Sequence, residues 1–209
     1  MEAEIEENKV SLSLNDEELV SRAKANDQGA ITELIHRYQP KAYAIAFHLC
    51  SEDNNETRDV TQEAFLKTIR SIKKFRGQAS FSTWFYRIVV NTCRDFLRRQ
   101  RKKERLFSLW QGKPQDNEVS QEKSKEQPDL KGYSNPMTVF TGKQLTHDVR
   151  NALRALSGKQ RMVFQLKVLH EMTIKDIAQV TGSSEGTIKS HLFRATHSLR
   201  NVLKDWAEP

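Results

Sequence analysis

The segment MTIKDIAQVTGSSEGTIKSHLFRATHSLR, residues 172–200, has two stretches of helical apolar spacing on either side of a glycine. Ile177 lies in the first stretch, Gly182 marks a turn, and Ser183 or Ser184 is placed to cap a second helix. A short helix, a glycine turn and a second helix are the parts of a helix-turn-helix, whose second helix enters the major groove of DNA. This segment therefore predicts a DNA-reading unit near the end of the chain.

The second helix of this segment has two distinct faces. Its buried stripe is predicted to consist of Ile188, Leu192, Ala195 and Leu199. Its outward face is predicted to carry Lys189, Ser190, Phe193, Arg194 and His197. Lysine and arginine can bond guanine edges or phosphates, and Phe193 can contact a thymine methyl group. The alternative is an ordinary helical hairpin with a solvated basic face, but an outward phenylalanine among basic residues favours DNA recognition.

A second informative segment, GQASFSTWFYRIVVNTCRDFLRRQRKK, covers residues 77–103. Around it, residues 73–105 hold eleven basic and two acidic residues. Helical spacing places one amide and four guanidinium groups on one face, namely Arg87, Asn91, Arg94, Arg98 and Arg101. A nucleic-acid phosphate backbone that runs along the helix suits such a face.

The loop at residues 75–80 leads into this face with an aromatic ring, a basic side chain and exposed amides. Such a mixture can stack against and bond a base that has left the double helix, and stacking contributes about 1–3 kcal/mol per base. Many aromatic side chains of the helix, including Phe85, are expected to form part of the core. Binding of single-stranded or melted DNA is therefore a more specific hypothesis for this part of the chain than binding of a phosphate backbone alone.

The chain has 209 residues with a net charge of +7, and 29% of its residues are charged against 37% hydrophobic. This balance allows only modest cores, and the helical periodicity predicts an all-α fold with two small helical domains. The predicted divisions are an acidic tail at 1–14, a first domain at 15–105, a polar linker at 106–143 and a second domain at 144–206.

Helix boundaries follow from capping residues and breakers. Asp16 and Asp27 are expected to cap the first two helices, Pro40 to begin a third, and residues 56–72 to form a fourth. A long helix is expected from Ser80 or Ser82 to about Arg101, and Ser157-Gly158 is expected to end the first helix of the second domain.

The only two cysteines, Cys50 and Cys93, each lie in an apolar or helical pattern and are expected to be buried free thiols. No spacing of cysteine and histidine predicts a metal site, so neither a metal nor another cofactor is expected. Without a signal peptide or an apolar run of about 18 residues, the protein is expected to be cytoplasmic and not inserted in a membrane.

The two segments together resemble a known family. RDVTQEAFLKTIRSIKKFRGQASFSTWFYRIVVNTCRDFLRR, residues 58–99, followed by a linker and TIKDIAQVTGSSEGTIKSHLFRA, residues 173–195, is similar to bacterial RNA polymerase sigma factors of the extracytoplasmic-function group (group IV, sigma-E-like). The resemblance covers about 16–103 and 144–204. It implies a sigma-2-like helical bundle and a sigma-4-like helix-turn-helix, without catalytic residues.

The resemblance also assigns roles to residues. Those implied to dock on the beta-prime clamp helices of core RNA polymerase are Asp59, Gln62 and Glu63. Those implied to bind the minus-ten element are Phe75, Arg76, Gly77, Gln78, Ser80, Trp84, Tyr86, Arg87, Asn91 and Arg94. Those implied to bind the minus-35 element are Lys189, Ser190, His191, Phe193, Arg194 and His197. His191 stands where many relatives have arginine, which affects the expected promoter sequence rather than the class of protein.

Expected partners are core RNA polymerase, through its clamp helices and beta flap, promoter DNA and an anti-sigma factor. Two other classes remain open from the residues alone. A helix-turn-helix activator with an N-terminal sensor domain would bind duplex DNA tightly without polymerase. An enzyme acting on nucleic acid would need clustered carboxylates or metal ligands, and the acidic pair Asp59 and Glu63 is the candidate for such a role.

Overall fold

The computed structural model describes residues 14–50, 53–110, 149 and 151–202. All regular secondary structure within these ranges is helical, which confirms the predicted all-α class. The helices form an N-terminal unit, made from residues 14–50 and 53–110, and a C-terminal unit, made from residues 149 and 151–202.

The N-terminal unit consists of four α-helices and one 3-10 turn. The bounds are α1 Asp16–Lys24, α2 Gln28–Leu49, α3 Asn54–Ser71, the 3-10 turn Ile72–Lys74, and α4 Phe81–Trp110. Asp27 caps α2 as predicted, because its carboxylate accepts a hydrogen bond from the Ala30 amide. The cap of α1 is Asn15 rather than Asp16, and Asp16 instead accepts hydrogen bonds from Arg37 and Tyr38.

Pro40 does not begin a helix, contrary to the prediction. It lies inside α2, which continues for 22 residues. Proline removes one backbone donor, so the carbonyl of His36 loses its helical partner. Both Pro40 and His36 are exposed, so water can bond to that carbonyl and the helix continues.

The prediction for the end of α4 also needs correction. The helix continues past Arg101 to Trp110 and therefore enters the range predicted as linker. The added turn contains residues such as Leu106 that favour helix, and no glycine or proline occurs between Arg101 and Trp110 to stop it. The rest of the predicted linker lies outside the described residues.

The core of the N-terminal unit is built around aromatic rings. Phe85 is fully buried, and its ring centroid lies 4.9 Å from that of Phe65 and 5.4 Å from that of Tyr38. Val89 and Val90, one turn further along α4, are also fully buried. One side of α4 therefore anchors the bundle, and its opposite side faces solvent.

Cys50 and Cys93 form a disulfide, so the prediction of free thiols was wrong. Cys50 follows the end of α2 and Cys93 lies in α4, with Cα atoms 5.2 Å apart. The sequence placed each cysteine on an apolar helical face, but it did not show that these two faces meet.

The C-terminal unit contains the predicted helix-turn-helix. Residues 151–155 are helical, and three further helices follow: α5 Gly158–Val168, α6 Ile174–Thr181 and α7 Glu185–Val202. Ser157 follows the first helical stretch, as predicted, and also begins α5 through a capping box with Gln160. Gly182 ends α6 with a φ of 67°, in the left-handed region that glycine adopts without strain.

The two units are packed against each other. Met172 and Val180 of the C-terminal unit are buried in the same apolar cluster as the N-terminal core. The Gln165 side-chain amide donates a hydrogen bond to the His48 carbonyl at 3.0 Å. A polar linker at 106–143 is long enough to let the two units lie apart, whereas this structure holds them in contact.

Candidate nucleic-acid interface

The basic face predicted on α4 is exposed throughout. Its members Arg87, Asn91, Arg94, Arg98 and Arg101 all lie on the solvent side of the helix. Arg98 forms an ion pair with Asp95 at 3.1 Å, yet 80% of its side chain remains exposed. Within the described residues, Arg87, Arg94 and Arg101 have no salt bridge. The guanidinium groups are therefore available to an external anion.

The loop before α4 presents a polar edge beside this face. Gly77 has a φ of 70°, and Arg76, Gly77 and Gln78 are exposed. Ser80 begins α4, because its hydroxyl accepts a hydrogen bond from the Thr83 amide at 3.2 Å. The left-handed glycine lets the chain turn sharply into the helix. This turn places the loop next to the first turn of the basic helix.

Phe75 anchors the loop on the aromatic side chains of α4. Its ring is half-buried and lies 5.1 Å from the Trp84 ring and 5.9 Å from the Phe81 ring, between centroids. The Lys24 ammonium sits 5.4 Å from the centre of the same ring. In this structure Phe75 therefore orients the loop, and its neighbour Arg76 faces solvent.

Tyr86 is buried, at 8% exposure, although it was assigned to the DNA-binding set. Its ring packs against Tyr38 at 5.9 Å, and the Lys41 ammonium lies 5.5 Å from its centre. Burial, reinforced by the Asp16 carboxylate, raises the pKa of Tyr86 to about 12. The phenol therefore stays protonated, and it is not accessible to DNA in this arrangement.

A groove of about 490 Å³ separates Tyr86 from the C-terminal unit. Among the side chains that line it are Arg37, Lys41, Thr83, Tyr86, Glu171 and Asp176. The Thr83 hydroxyl donates a hydrogen bond across the contact to Asp176 at 3.4 Å. The C-terminal unit thus lies against Thr83 and Tyr86 in the first two turns of α4 and leaves the basic face exposed.

The acidic face predicted on α3 is partly occupied by internal contacts. Asp59 and Gln62 are exposed. The Glu63 carboxylate instead forms ion pairs with Lys67 at 2.9 Å and with Arg99 at 2.8 Å. The hydrogen bond from Lys67, followed by that from Arg99, lowers the pKa of Glu63 despite its partial burial. Glu63 is therefore a fixed part of the α3–α4 packing, and Asp59 and Gln62 are the freer acceptors.

Sequence reasoning missed two apolar residues on α3. Leu66 is 52% exposed and Ile69 is 37% exposed. Both follow Asp59 and Gln62 at helical spacing, so they extend the same face by two turns. The signal that could have found them is the spacing of three and four residues, which continues from Asp59 and Gln62 to Leu66 and Ile69.

The helix-turn-helix agrees closely with its predicted faces. Ile188, Ala195 and Leu199 are buried and Leu192 is half-buried. The outward residues Lys189, Ser190, Phe193, Arg194 and His197 are all exposed. Phe193, at 72% exposure, stacks with His197 at 6.4 Å between ring centres.

His191 differs from its neighbours on α7. It is half-buried, and within the described residues its Nδ1 atom is buried without a hydrogen-bond partner. The ring therefore points away from the exposed row, which makes Lys189 and Arg194 the stronger candidates for base contacts.

None of the described helices is long and apolar enough to cross a lipid bilayer. The described residues also contain no group of three or more potential metal ligands.

The chain that forms this exposed basic helix, its polar loop and the helix-turn-helix matches two family models. The model described as Sigma-70 region 2 matches residues 34–103, and the model described as Sigma-70, region 4 matches residues 146–196. Fold and matches together define the class as sigma factors of the sigma-70 type.

Similar proteins narrow the class further. The ECF RNA polymerase sigma-E factor of Escherichia coli K12 is 30% identical over 195 residues, covering 93% of this chain and 97% of that protein. The sigma-E factor of Haemophilus influenzae is 29% identical over 191 residues, covering 91% and 96%. The chain belongs to the ECF (extracytoplasmic-function) family of RNA polymerase sigma factors.

Two solved structures share the fold. The sigma factor RpoE of Bartonella quintana, solved with the anti-sigma factor NepR, has a TM-score of 0.61 at 24% identity and covers 83% of this chain and 96% of its own. CnrH, solved with the cytosolic domain of CnrY, has a TM-score of 0.59 at 19% identity and covers 91% and 97%.

Proposed function

We propose that this sigma factor directs core RNA polymerase to its promoters by holding melted minus-ten DNA on α4 and reading the duplex minus-35 element with α7. The first activity belongs to the domain at 15–105 and the second to the domain at 144–206. The observation that carries the proposal is the exposed row of guanidinium groups on α4, beside a polar loop and on a different unit from the helix-turn-helix.

Melting in this scheme needs no catalytic residue. Binding to unpaired DNA and not to the duplex shifts the equilibrium toward the open state by the difference in binding free energy. Arg76 and Gln78 on the loop offer donors to an extruded base, and Arg87 and Arg94 hold the phosphates behind it. Polymerase raises the effective concentration of the second DNA contact once the first has formed.

Recognition of the duplex element is assigned to α7. Lys189 and Arg194 project beside Phe193 from a helix whose apolar stripe is packed on the rest of the unit. This arrangement leaves the whole basic side of the helix free to enter a major groove.

We expect Arg194→Ala to weaken minus-35 recognition by about 1–3 kcal/mol and to relax the base preference, because one specific contact is lost. Holoenzyme carrying the variant is tested by competition between promoters with altered minus-35 bases. Arg200→Ala is the control, since Arg200 is exposed on the same helix but lies outside the candidate row. An unchanged base preference in Arg194→Ala would show that α7 is not the reading helix.

Docking on core polymerase is assigned to the exposed face of α3. Asp59 and Gln62 offer oxygen acceptors to the basic beta-prime clamp helices, and Leu66 and Ile69 provide adjacent apolar area. Central apolar contact with polar acceptors at its edge is the usual composition of a protein interface.

The double variant Asp59→Ala with Gln62→Ala is expected to weaken core binding at least about tenfold, the effect of losing about 1.4 kcal/mol or more of interface energy. Affinity is measured by titrating core polymerase into labelled sigma, with circular dichroism to confirm the fold. Glu17→Ala with Gln28→Ala removes an exposed acid and an exposed amide elsewhere and should leave the affinity unchanged. Equal affinity of both double variants for core would refute the α3 docking face.

Run-off transcription tests the proposed function as a whole. Purified chain is added to core polymerase with a pool of promoter fragments, and stimulated transcription from a subset is expected. Tight, specific binding to duplex DNA without polymerase, and no stimulation of core, would instead identify the activator with a sensor domain.

Further proposals on location and partners follow from this function. A sigma factor acts where bacterial polymerase meets its template, so we place it in the cytoplasm, and we assign it no enzymatic reaction. An anti-sigma factor is the expected regulator, with the beta flap as a second polymerase contact of the C-terminal unit.

A further inference from the structure

We propose that the contact between His48 and His170 is an acid-sensitive latch that holds the C-terminal unit against the N-terminal bundle and keeps Tyr86 of α4 covered. His48 belongs to the last turn of α2, and His170 lies between α5 and α6. The latch adds a regulatory device within the chain to the proposed function.

The geometry requires a neutral ring at this contact. His48 Nδ1 lies 3.3 Å from His170 Nε2, so one nitrogen donates a proton and the other accepts it. A charged His48 can still donate to a neutral His170. Once both rings are protonated, all ring nitrogens are donors, and two positive charges face each other across 3.3 Å.

The two rings differ in their access to water. His170 is buried at 6% exposure, whereas His48 is exposed. Gln165 holds the backbone on both sides of the contact. Its side-chain amide donates a hydrogen bond to the His48 carbonyl, and its own carbonyl accepts one from the His170 amide at 3.3 Å. Separation of the units would therefore release His170 into water, where it can accept a proton.

Four charged side chains lie near the contact. Arg37 and Lys41 of α2 line the adjacent groove, together with Glu171 and Asp176 of the C-terminal unit. Burial, reinforced by the neighbouring His48 and Lys41, lowers the pKa of His170 to about 4.

The direction of the pH effect follows from linkage. In the separated state His170 has an ordinary pKa of about 6.5, so the contact is fully stable above that pH. Its stability falls as pH drops through 6.5 toward the closed-state value of about 4. At about pH 5.5 the ratio of closed to open molecules is expected to be about tenfold lower than at about pH 8.

Opening would uncover Tyr86, a residue of the candidate minus-ten site, and its neighbour Thr83. Thr83 and Tyr86 are buried beside the groove that the C-terminal unit covers, and Met172 is buried on the opposite side. These side chains report on separation of the units, whereas Phe85 reports on the integrity of the N-terminal core.

Hydroxyl-radical footprinting of the full chain at about pH 8 and about pH 5.5 tests the latch. Modification of Met172 and Tyr86 should rise about tenfold on acidification while Phe85 stays protected. In His170→Gln the side chain cannot take up a proton. Modification of Met172 and Tyr86 in this variant should therefore be the same at both pH values, whether the amount is high or low. His36→Gln, at an exposed histidine of α2, should retain the full rise.

Three results would overturn the proposal. One is the same acid-induced rise in His170→Gln as in the wild type. Another is no rise in the wild type. The third is a parallel rise at Phe85, because that would mean acid unfolding of the N-terminal unit rather than separation of the two units.

Discussion

Arg87→Glu with Arg94→Glu is expected to lower the affinity of holoenzyme for melted promoter DNA at least about 100-fold. Each arginine can make a charge-assisted contact worth about 1.5–3 kcal/mol, and two such losses total about 3–6 kcal/mol. Both side chains are exposed, so the substitutions should leave the core of the bundle intact. The loss is therefore expected in DNA binding and not in stability.

The salt dependence separates phosphate contacts from other effects. Removing two phosphate contacts to a single strand should reduce the slope of log K against log salt by about 1.4. The measurement is a salt titration of holoenzyme binding to a fork-shaped promoter with an unpaired minus-ten segment. Lys159→Glu, at an exposed lysine in the first turn of α5, is the charge-reversal control for the single variant Arg94→Glu. Equal salt slopes in wild type and double variant would remove α4 from the DNA interface.

Phe85→Ala is expected to destabilise the protein by about 3–5 kcal/mol, because a fully buried ring is removed from a packed aromatic cluster. A loss of this size is a large part of the total stability of a small domain, which is about 5–15 kcal/mol. Urea unfolding followed by circular dichroism measures the change.

Phe193→Ala makes the same chemical change at a ring that is 72% exposed. Its effect on stability is expected to stay within about 0.5 kcal/mol. Its effect on minus-35 binding should be larger, since the exposed ring belongs to the proposed reading face. Similar losses of stability in both variants would contradict the burial of Phe85.

The helix-turn-helix was predictable because its signals are local. Gly182 ends α6, Ser184 caps α7 through the Thr187 amide, and Ile188 begins the apolar stripe. Each of these features depends on neighbours within one or two turns of the chain. The exposed row on α4 was predictable for the same reason, since a row of arginines with few acids leaves no internal partner for most of them.

The features that sequence reasoning missed depend on distant parts of the chain. The pairing of Cys50 with Cys93 requires two helical faces to meet, and no local pattern records that meeting. The burial of Tyr86 depends on Tyr38 and on the docked C-terminal unit. Pro40 was misread because its effect on a helix depends on whether the freed carbonyl faces water.

The packed arrangement of the two units has a consequence for the order of events. Tyr86 remains a predicted minus-ten residue, and it can contact DNA only after the C-terminal unit moves away from the groove. Binding of melted promoter DNA to Tyr86 would select the separated state, because only that state exposes this side chain.

The central claim is that α4 and its loop hold unpaired promoter DNA. It is tested most directly with 2-aminopurine placed at the minus-ten position of a promoter selected by run-off transcription. Holoenzyme containing the wild-type chain should increase the fluorescence of this base as it leaves the stack, and holoenzyme containing Arg87→Glu with Arg94→Glu should not. An equal increase with both holoenzymes would contradict the account.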